Sequence, residues 1–365
     1  MTASLAEYRQ LAKSMSVDAL ALVPGPNFTR ALGQDFMSHE RPFVLVIPAE
    51  GRPAALLPNL ELGSWGQLGF DGAVFDWRDQ TGYQTAFADL AAHLPIKRLA
   101  VEGQVMRVFV HHALMQATPG LDIIDAEREI SGLRMVKTET DIAALQRAID
   151  LSERALAQVL ETVQVGQSEK QIESRLIQAL FAEGADALAF PPIVVAGDNA
   201  ARPHGHARED YKIQPGDALL FDFGGRKDGF CADITRTVFV AEVSETGRAV
   251  YDTVLAANMA GLAATRAGVT AHQIDDVVTG VLEASDFAEH IRTKTGHGLG
   301  RDVHEAPYIM RGNHQTLPAG TVYTNEPGLY LSGQFGVRIE DDVLVTEAGC
   351  QVLTQFPKEL LVVGG

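Results

Sequence analysis

Five side chains of this 365-residue sequence, Asp222, Asp233, His297, Glu326 and Glu340, stand where two β-hairpins and one glycine-flanked loop could bring them to a single point. Four carboxylates and a lone imidazole form an oxygen-rich donor set, the set that two divalent metal ions sharing a hydroxide require. Acidic side chains placed face to face repel each other unless a cation lies between them. One such pair is as readily two solvated surface carboxylates. Two pairs, together with GHGLGRDVHE at 296–305, leave little room for that plain reading.

The elements that must position these side chains follow from the turns. Residues 217–223 and 230–240 read as strands, and Asp228-Gly229 between them is a two-residue hairpin signal. Lys227 then faces Phe230, which sets Asp222 opposite Thr235 and Asp233 opposite Gly224. The two aspartates become diagonal neighbours on one face. Further on, TVYTNEPGLYL and FGVRIEDDVLVT flank Ser332-Gly333-Gln334, and a loop centred on Gly333 makes Glu326 and Glu340 cross-strand partners. Pro327 cannot donate to a ladder, so it must sit at an edge or bulge. Thr235 shares the face of Asp233, and Arg338, two residues before Glu340, shares its face and could hold acidic ligands from behind.

Five segments carry a family resemblance: PPIVVAGDNAARPHG (191–205), FDFGGRKDGFCADITRTV (221–238), GHGLGRDVHEAPY (296–308), NEPGLY (325–330) and GVRIEDD (336–342). In this order they closely resemble the creatinase/aminopeptidase P/prolidase family of pita-bread metallopeptidases. PGPNFTRAL (24–32) and the stretch 40–62 resemble, more loosely, that family's smaller N-terminal domain. The resemblance implies an α+β chain: a creatinase-like α/β domain over 1–132, then a pita-bread catalytic domain over 133–365, a curved antiparallel sheet with helices on its outer face.

It also implies roles. Asp222 resembles the ligand to one metal, Asp233 and Glu340 the bridges, and His297 with Glu326 the remaining ligands to the other. Carboxylates can bridge because each has two oxygens with spare lone pairs. Gly296 and Gly298 let the backbone approach closely beside His297. The shared hydroxide is then the nucleophile and Glu326 the proton shuttle, while His204 and His304 resemble the family's catalytic, substrate-binding histidines. A mostly oxygen shell favours Mn²⁺, with Co²⁺ or Zn²⁺ able to occupy the same ligands. Phe230 stands where many relatives carry Tyr, so the role of a phenol there does not transfer.

The implied reaction is hydrolysis of Xaa-Pro bonds, tertiary amides without an N–H, in a small proline-containing peptide. An Xaa-Pro dipeptidase (prolidase) ranks first and aminopeptidase P second; a same-fold hydrolase or lyase and a non-enzymatic binding protein follow. Arg311, in the loop 310–320, is the expected receptor for a dipeptide's free carboxylate, which its planar fork would match. His206 reads as solvated. A homodimer is expected because relatives use a neighbour's N-terminal domain to wall the cleft.

Composition excludes other classes. With 47 acidic against 30 basic residues, a formal net charge of −17 argues against nucleic acid. No apolar run is long enough for a membrane span, and the N-terminal residues lack a signal core, so a cytoplasmic protein is expected. Cys231 and Cys350 make no disulfide framework and suit a reducing compartment. Apolar residues at helical spacing (Ile142, Leu145, Ile149, Leu156, Val159, Leu160, Val163) predict a long helix after Thr138. Further helices are expected over 169–181 and 245–266 and from Ala271.

Overall fold

In the computed structural model, which describes residues 3–365, the chain divides into two units, Met1–Arg134 and Met135–Gly365. Strand alternation organises the first. Leu20 and Leu22 of strand Ala19–Leu22 join one apolar cluster with Leu45, Ile47, Ala55 and Leu57, while Ala19 and Ala21 join another with Val44, Val46, Ala54 and Leu56. A sheet buried on both faces needs helices on both. Helix Ala3–Ser14 supplies Leu5, Tyr8 and Ala12 to the first cluster, and Gln84–His93 supplies Ala86, Phe87 and Leu90 to the second. The sheet has six strands, in the order Ala73–Trp77, Ala54–Pro58, Val44–Pro48, Ala19–Leu22, Arg98–Val101 and Asp122–Asp125.

The second unit is built from helix pairs alternating with antiparallel hairpins. Thr138, Ser168 and Thr270 each close a capping box, starting helices Glu139–Leu160, Glu169–Ala182 and Ala271–Glu283. Ser244 caps Glu245–Ala264. Val163, counted with the first of these helices on periodicity, lies beyond its end. The first helix pair covers a cluster containing Leu145, Ile149, Leu176, Phe221, Phe223 and Ile234; the second covers one containing Val250, Val254, Ile274, Tyr323, Val337 and Val343. Two αβ halves result, one on a four-stranded sheet and one on a five-stranded sheet.

Both hairpin registers follow their turns. Lys227 pairs with Phe230 and Asp222 with Thr235, and the central turn residues Asp228 (φ 51°) and Gly229 (φ 78°) have the positive φ that a type I′ turn requires. The second hairpin pairs Leu331 with Phe335 through Gly328 with Arg338, then Asn325 with Asp341 through Val322 with Leu344. Between these two ladders, at Glu326-Pro327 and Ile339-Glu340, no strand pairing occurs. No helix among the described residues is long and apolar enough to cross a membrane.

Candidate metal centre

The gap in the second ladder leaves backbone groups that must find partners inside the protein. Glu326 N–H donates to Thr295 O (2.8 Å), Glu340 N–H to Thr235 O (3.1 Å) and Ile339 N–H to Pro327 O (3.3 Å). Asn258, inside helix Glu245–Ala264, spans the gap: its Nδ2 donates to Asn325 O (3.1 Å) and Ile339 O (3.4 Å). The carbonyl of Glu340 accepts from Arg236 Nη1 at 2.5 Å, and the same guanidinium donates to Asp341 Oδ1 at 2.9 Å. The two hairpins are thereby tied together where their acidic residues meet. His297 enters beside them on a strand squeezed from two sides. A Cβ at Gly296 would stand 1.8 Å from Thr324 O and one at Gly298 2.2 Å from Ala306 O, so only glycine fits.

Three overlapping groups form: Asp222, Asp233 and Glu340; His297, Glu326 and Glu340; and Asp233, His297 and His304, each with its potential ligand atoms within 4.8 Å of one another. His297 Nε2 lies 3.2 Å from Glu326 Oε1 and 3.6 Å from Asp233 Oδ2, while Nδ1 is 3.1 Å from Gly298 O. A proton on Nδ1 donated to that carbonyl leaves the Nε2 lone pair facing the carboxylates, as a metal-ligating imidazole needs. Thr235 Oγ1 donates to Glu340 Oε2 (2.6 Å), and Thr324 Oγ1 to Glu326 Oε1 (3.1 Å). Arg338 donates to Asp222 Oδ2, to Thr235 Oγ1 (3.0 Å) and to Tyr330 Oη (2.7 Å).

Electrostatics tests whether this donor set suits cations. Burial, then the charges of Glu340, Asp222 and Glu326, pushes the Asp233 carboxyl well above its ordinary range. Burial, then Glu326 and Asp222, does the same to Glu340. Asp222 is raised by burial against the pull of Arg338. Burial also acts to raise Glu326, but the hydrogen bond and charge of His297 outweigh it, and this carboxyl is lowered. Asp222 Oδ1 is buried without a hydrogen-bond partner. Buried carboxylates crowded against each other, with an oxygen unsatisfied, are stabilised by divalent cations, so the residues present fit the metal-binding role.

Of the other expected site residues, the exposed His304 stacks near His297, with ring centroids 3.8 Å apart. Although the residue is exposed overall, desolvation of the side packed against His297, then the charge of His297, pushes it down to about 4. His204, exposed on a turn, is close enough for its charge to act on His304. His206 is exposed, and its carbonyl accepts from Asn199 Nδ2. Arg311 is engaged by other carboxylates. Its Nε donates to Asp276 Oδ1 (3.0 Å) and its two Nη atoms to Glu283 (2.6 and 3.0 Å), so the fork expected to receive a carboxylate already holds one. Phe230 joins the core and stacks under Arg301, 4.3 Å from its ring centre.

Sequence reasoning missed Asn258, Arg236 and Tyr330. Asn258 is a fully buried amide among the helix's buried Val254, Ala257 and Gly261, and Arg236 a buried charge inside a strand buried throughout. A polar residue on an apolar stripe is the signal for both. Tyr330 carried no such mark, being one more aromatic in a strand.

Comparisons with known proteins identify the family. Residues 143–347 match the model for metallopeptidase family M24, and residues 5–136 the creatinase/prolidase N-terminal domain. The probable dipeptidase PepE of Mycobacterium bovis is 34% identical, with 97% of this chain and 95% of the relative covered. Among solved structures, a prolidase from Thermococcus sibiricus is 32% identical with a TM-score of 0.94, covering 99% of this chain and 98% of that one. An X-Pro aminopeptidase from Thermotoga maritima is 31% identical with a TM-score of 0.85, covering 98% and 99%. A creatinase-type N-terminal domain precedes a catalytic domain with antiparallel sheets, and the chain is an enzyme belonging to metallopeptidase family M24.

Proposed function

We propose that this enzyme is an Xaa-Pro dipeptidase whose cluster holds two divalent metal ions, Mn²⁺ before Co²⁺ or Zn²⁺. The observation that carries the reading is the convergence of Asp222, Asp233, Glu326 and Glu340 on His297 in a buried site with one guanidinium, that of Arg338, against the carboxylates. Asp222 would hold one ion, His297 and Glu326 the other, and Asp233 and Glu340 would be shared. When bound, two such ions acidify a water and polarise the scissile carbonyl.

The chain's own residues do the rest. Glu326 takes a proton from the attacking water on a carboxylate oxygen and gives it to the proline nitrogen as the C–N bond breaks. His304, neutral at pH 7, donates an N–H to the carbonyl oxygen as negative charge develops there. His204 helps to hold the substrate, and Thr235 and Arg338 fix Glu340 and Asp222 from behind. A cytoplasmic homodimer completes the reading; the two free cysteines suit a reducing compartment, and light scattering at micromolar concentration tests the dimer.

Aminopeptidase P activity is the second reading, favoured by one observation: the guanidinium of Arg311 is already taken by Glu283 and Asp276. The Mn²⁺-loaded enzyme should hydrolyse Ala-Pro with a higher kcat/KM than Ala-Pro-Ala, and leave Ala-Ala almost untouched. A preference for Ala-Pro-Ala would support the second reading, and equal cleavage of Ala-Ala would end both.

A further inference from the structure

If Arg311 is engaged, a dipeptidase still needs a cation for the substrate's terminal carboxylate. That cation must lie about one residue length, roughly 3.5 Å, beyond the scissile bond plus the reach of a hydrogen bond. Lys294, three residues before His297, is the candidate. Its ammonium lies 5.7 Å from the ring centre of Tyr308, and Tyr308 pairs directly with His297 across the sheet. Directly paired residues of antiparallel strands project to the same face, so the ammonium sits on the face that carries the His297 imidazole.

One further fact points the same way. Lys294 is also half-buried, yet among the described residues it has no hydrogen bond or ion pair, in a chain with 47 acidic residues against 30 basic ones. Arg338 and Arg311, by contrast, are already paired with carboxylates. A half-buried ammonium without a hydrogen-bonded or ion-paired carboxylate gains most from one that arrives with the substrate.

We propose that Lys294 is a specificity-determining residue that binds the free carboxylate of an Xaa-Pro dipeptide, with Tyr308 walling the pocket. The inference rests on the dipeptidase reading. It deepens that reading by naming the group that excludes longer peptides: an additional residue would replace the carboxylate with an amide and leave the ammonium unpaired.

The test compares Ala-Pro with Ala-Pro-amide in wild type, Lys294→Met and Lys294→Arg, each shown to retain its metal content. Lys294→Met should raise KM for Ala-Pro about 10- to 100-fold, the range for losing a charge-assisted hydrogen bond, with kcat little changed. Removing the substrate's carboxylate should cost the wild type the same factor, and the two losses should not add, because each deletes the same contact. Lys294→Arg should recover most of the affinity. Additive losses, or equal impairment of Ala-Pro and its amide, would overturn the inference while leaving the dipeptidase reading intact, as would an unchanged KM in both variants. A wild type that cleaves neither substrate would overturn that reading and this inference together.

Discussion

The two hairpins that carry the acidic residues differ in how they hold them. The first keeps Asp222 within a continuous sheet, paired with Thr235 on one side and Ile193 on the other, and turns aside only at Asp233, whose N–H goes to Asp342 Oδ2 (3.3 Å). The second gives up its ladder at both Glu326 and Glu340 and hands the freed backbone groups to Thr295, Thr235, Arg236 and Asn258. A continuous ladder aims side chains at fixed spacings, whereas a ladder interrupted at matched positions lets two opposed carboxylates turn toward a common point. The interruption persists because other elements supply the missing hydrogen bonds, each worth about 1 kcal/mol net and more if left unmade in the interior.

The comparison is broken most severely at Glu340. Glu340→Gln keeps an acceptor for Thr235 Oγ1 but removes the carboxylate proposed to be shared, so the expected result is loss of activity and of bound metal. In metal-free protein the same substitution should stabilise. A carboxyl whose folded pKa is raised contributes stability that is fully present below its unfolded pKa and is lost as pH rises through the folded value. At pH 8 the substituted amide escapes that loss, and Tm should rise by about 2–4 °C for each kcal/mol relieved, with the advantage fading towards pH 4. Asp222→Asn should gain less, because Arg338 already opposes the rise of that carboxyl. Paired metal analysis and melting curves at the two pH values check both signs.

His304→Ala removes a group beside the cluster rather than within either ladder. Metal content should be retained and kcat fall by about 10²- to 10⁴-fold, the usual contribution of a positioned acid, base or donor. A metal-free variant would instead make His304 a ligand, in line with its place beside Asp233 and His297.

The smallest expected effect sharpens the contrast between the ladders. Asn258→Leu leaves the carbonyls of Asn325 and Ile339 without their amide donor, and these immediately precede Glu326 and Glu340. Metal affinity should fall about 10- to 100-fold, as for loss of groups that orient ligands. The visible spectrum of the Co²⁺-loaded protein should change with it. A lower Tm with unchanged affinity and spectrum would mean that Asn258 supports only the fold.

Much of this architecture was legible in the sequence because turns are local. Asp228-Gly229 and Gly333 set the two registers, and threonine and serine caps set the starts of the four helices of the second unit. The ladder gap was half legible, since Pro327 ruled out one hydrogen bond but said nothing about who would take the others. What stayed hidden depended on distant packing. Asn258 lies 67 residues from Asn325, and Arg236 reaches the carbonyl of Glu340 from 104 residues away. The partner of Arg311 stayed hidden for the same reason, because nothing near it in the sequence announced Glu283, 28 residues earlier.

The most direct test of the metal centre is to remove the metal and return it by titration. Protein exhaustively dialysed against chelator, with metal content measured by elemental analysis, is titrated with Mn²⁺ while binding and Ala-Pro hydrolysis are followed together. Metal-free protein should show no turnover, and recovery should be complete when about two ions per chain are bound. Full turnover in protein shown to contain no metal would rule out the metal centre.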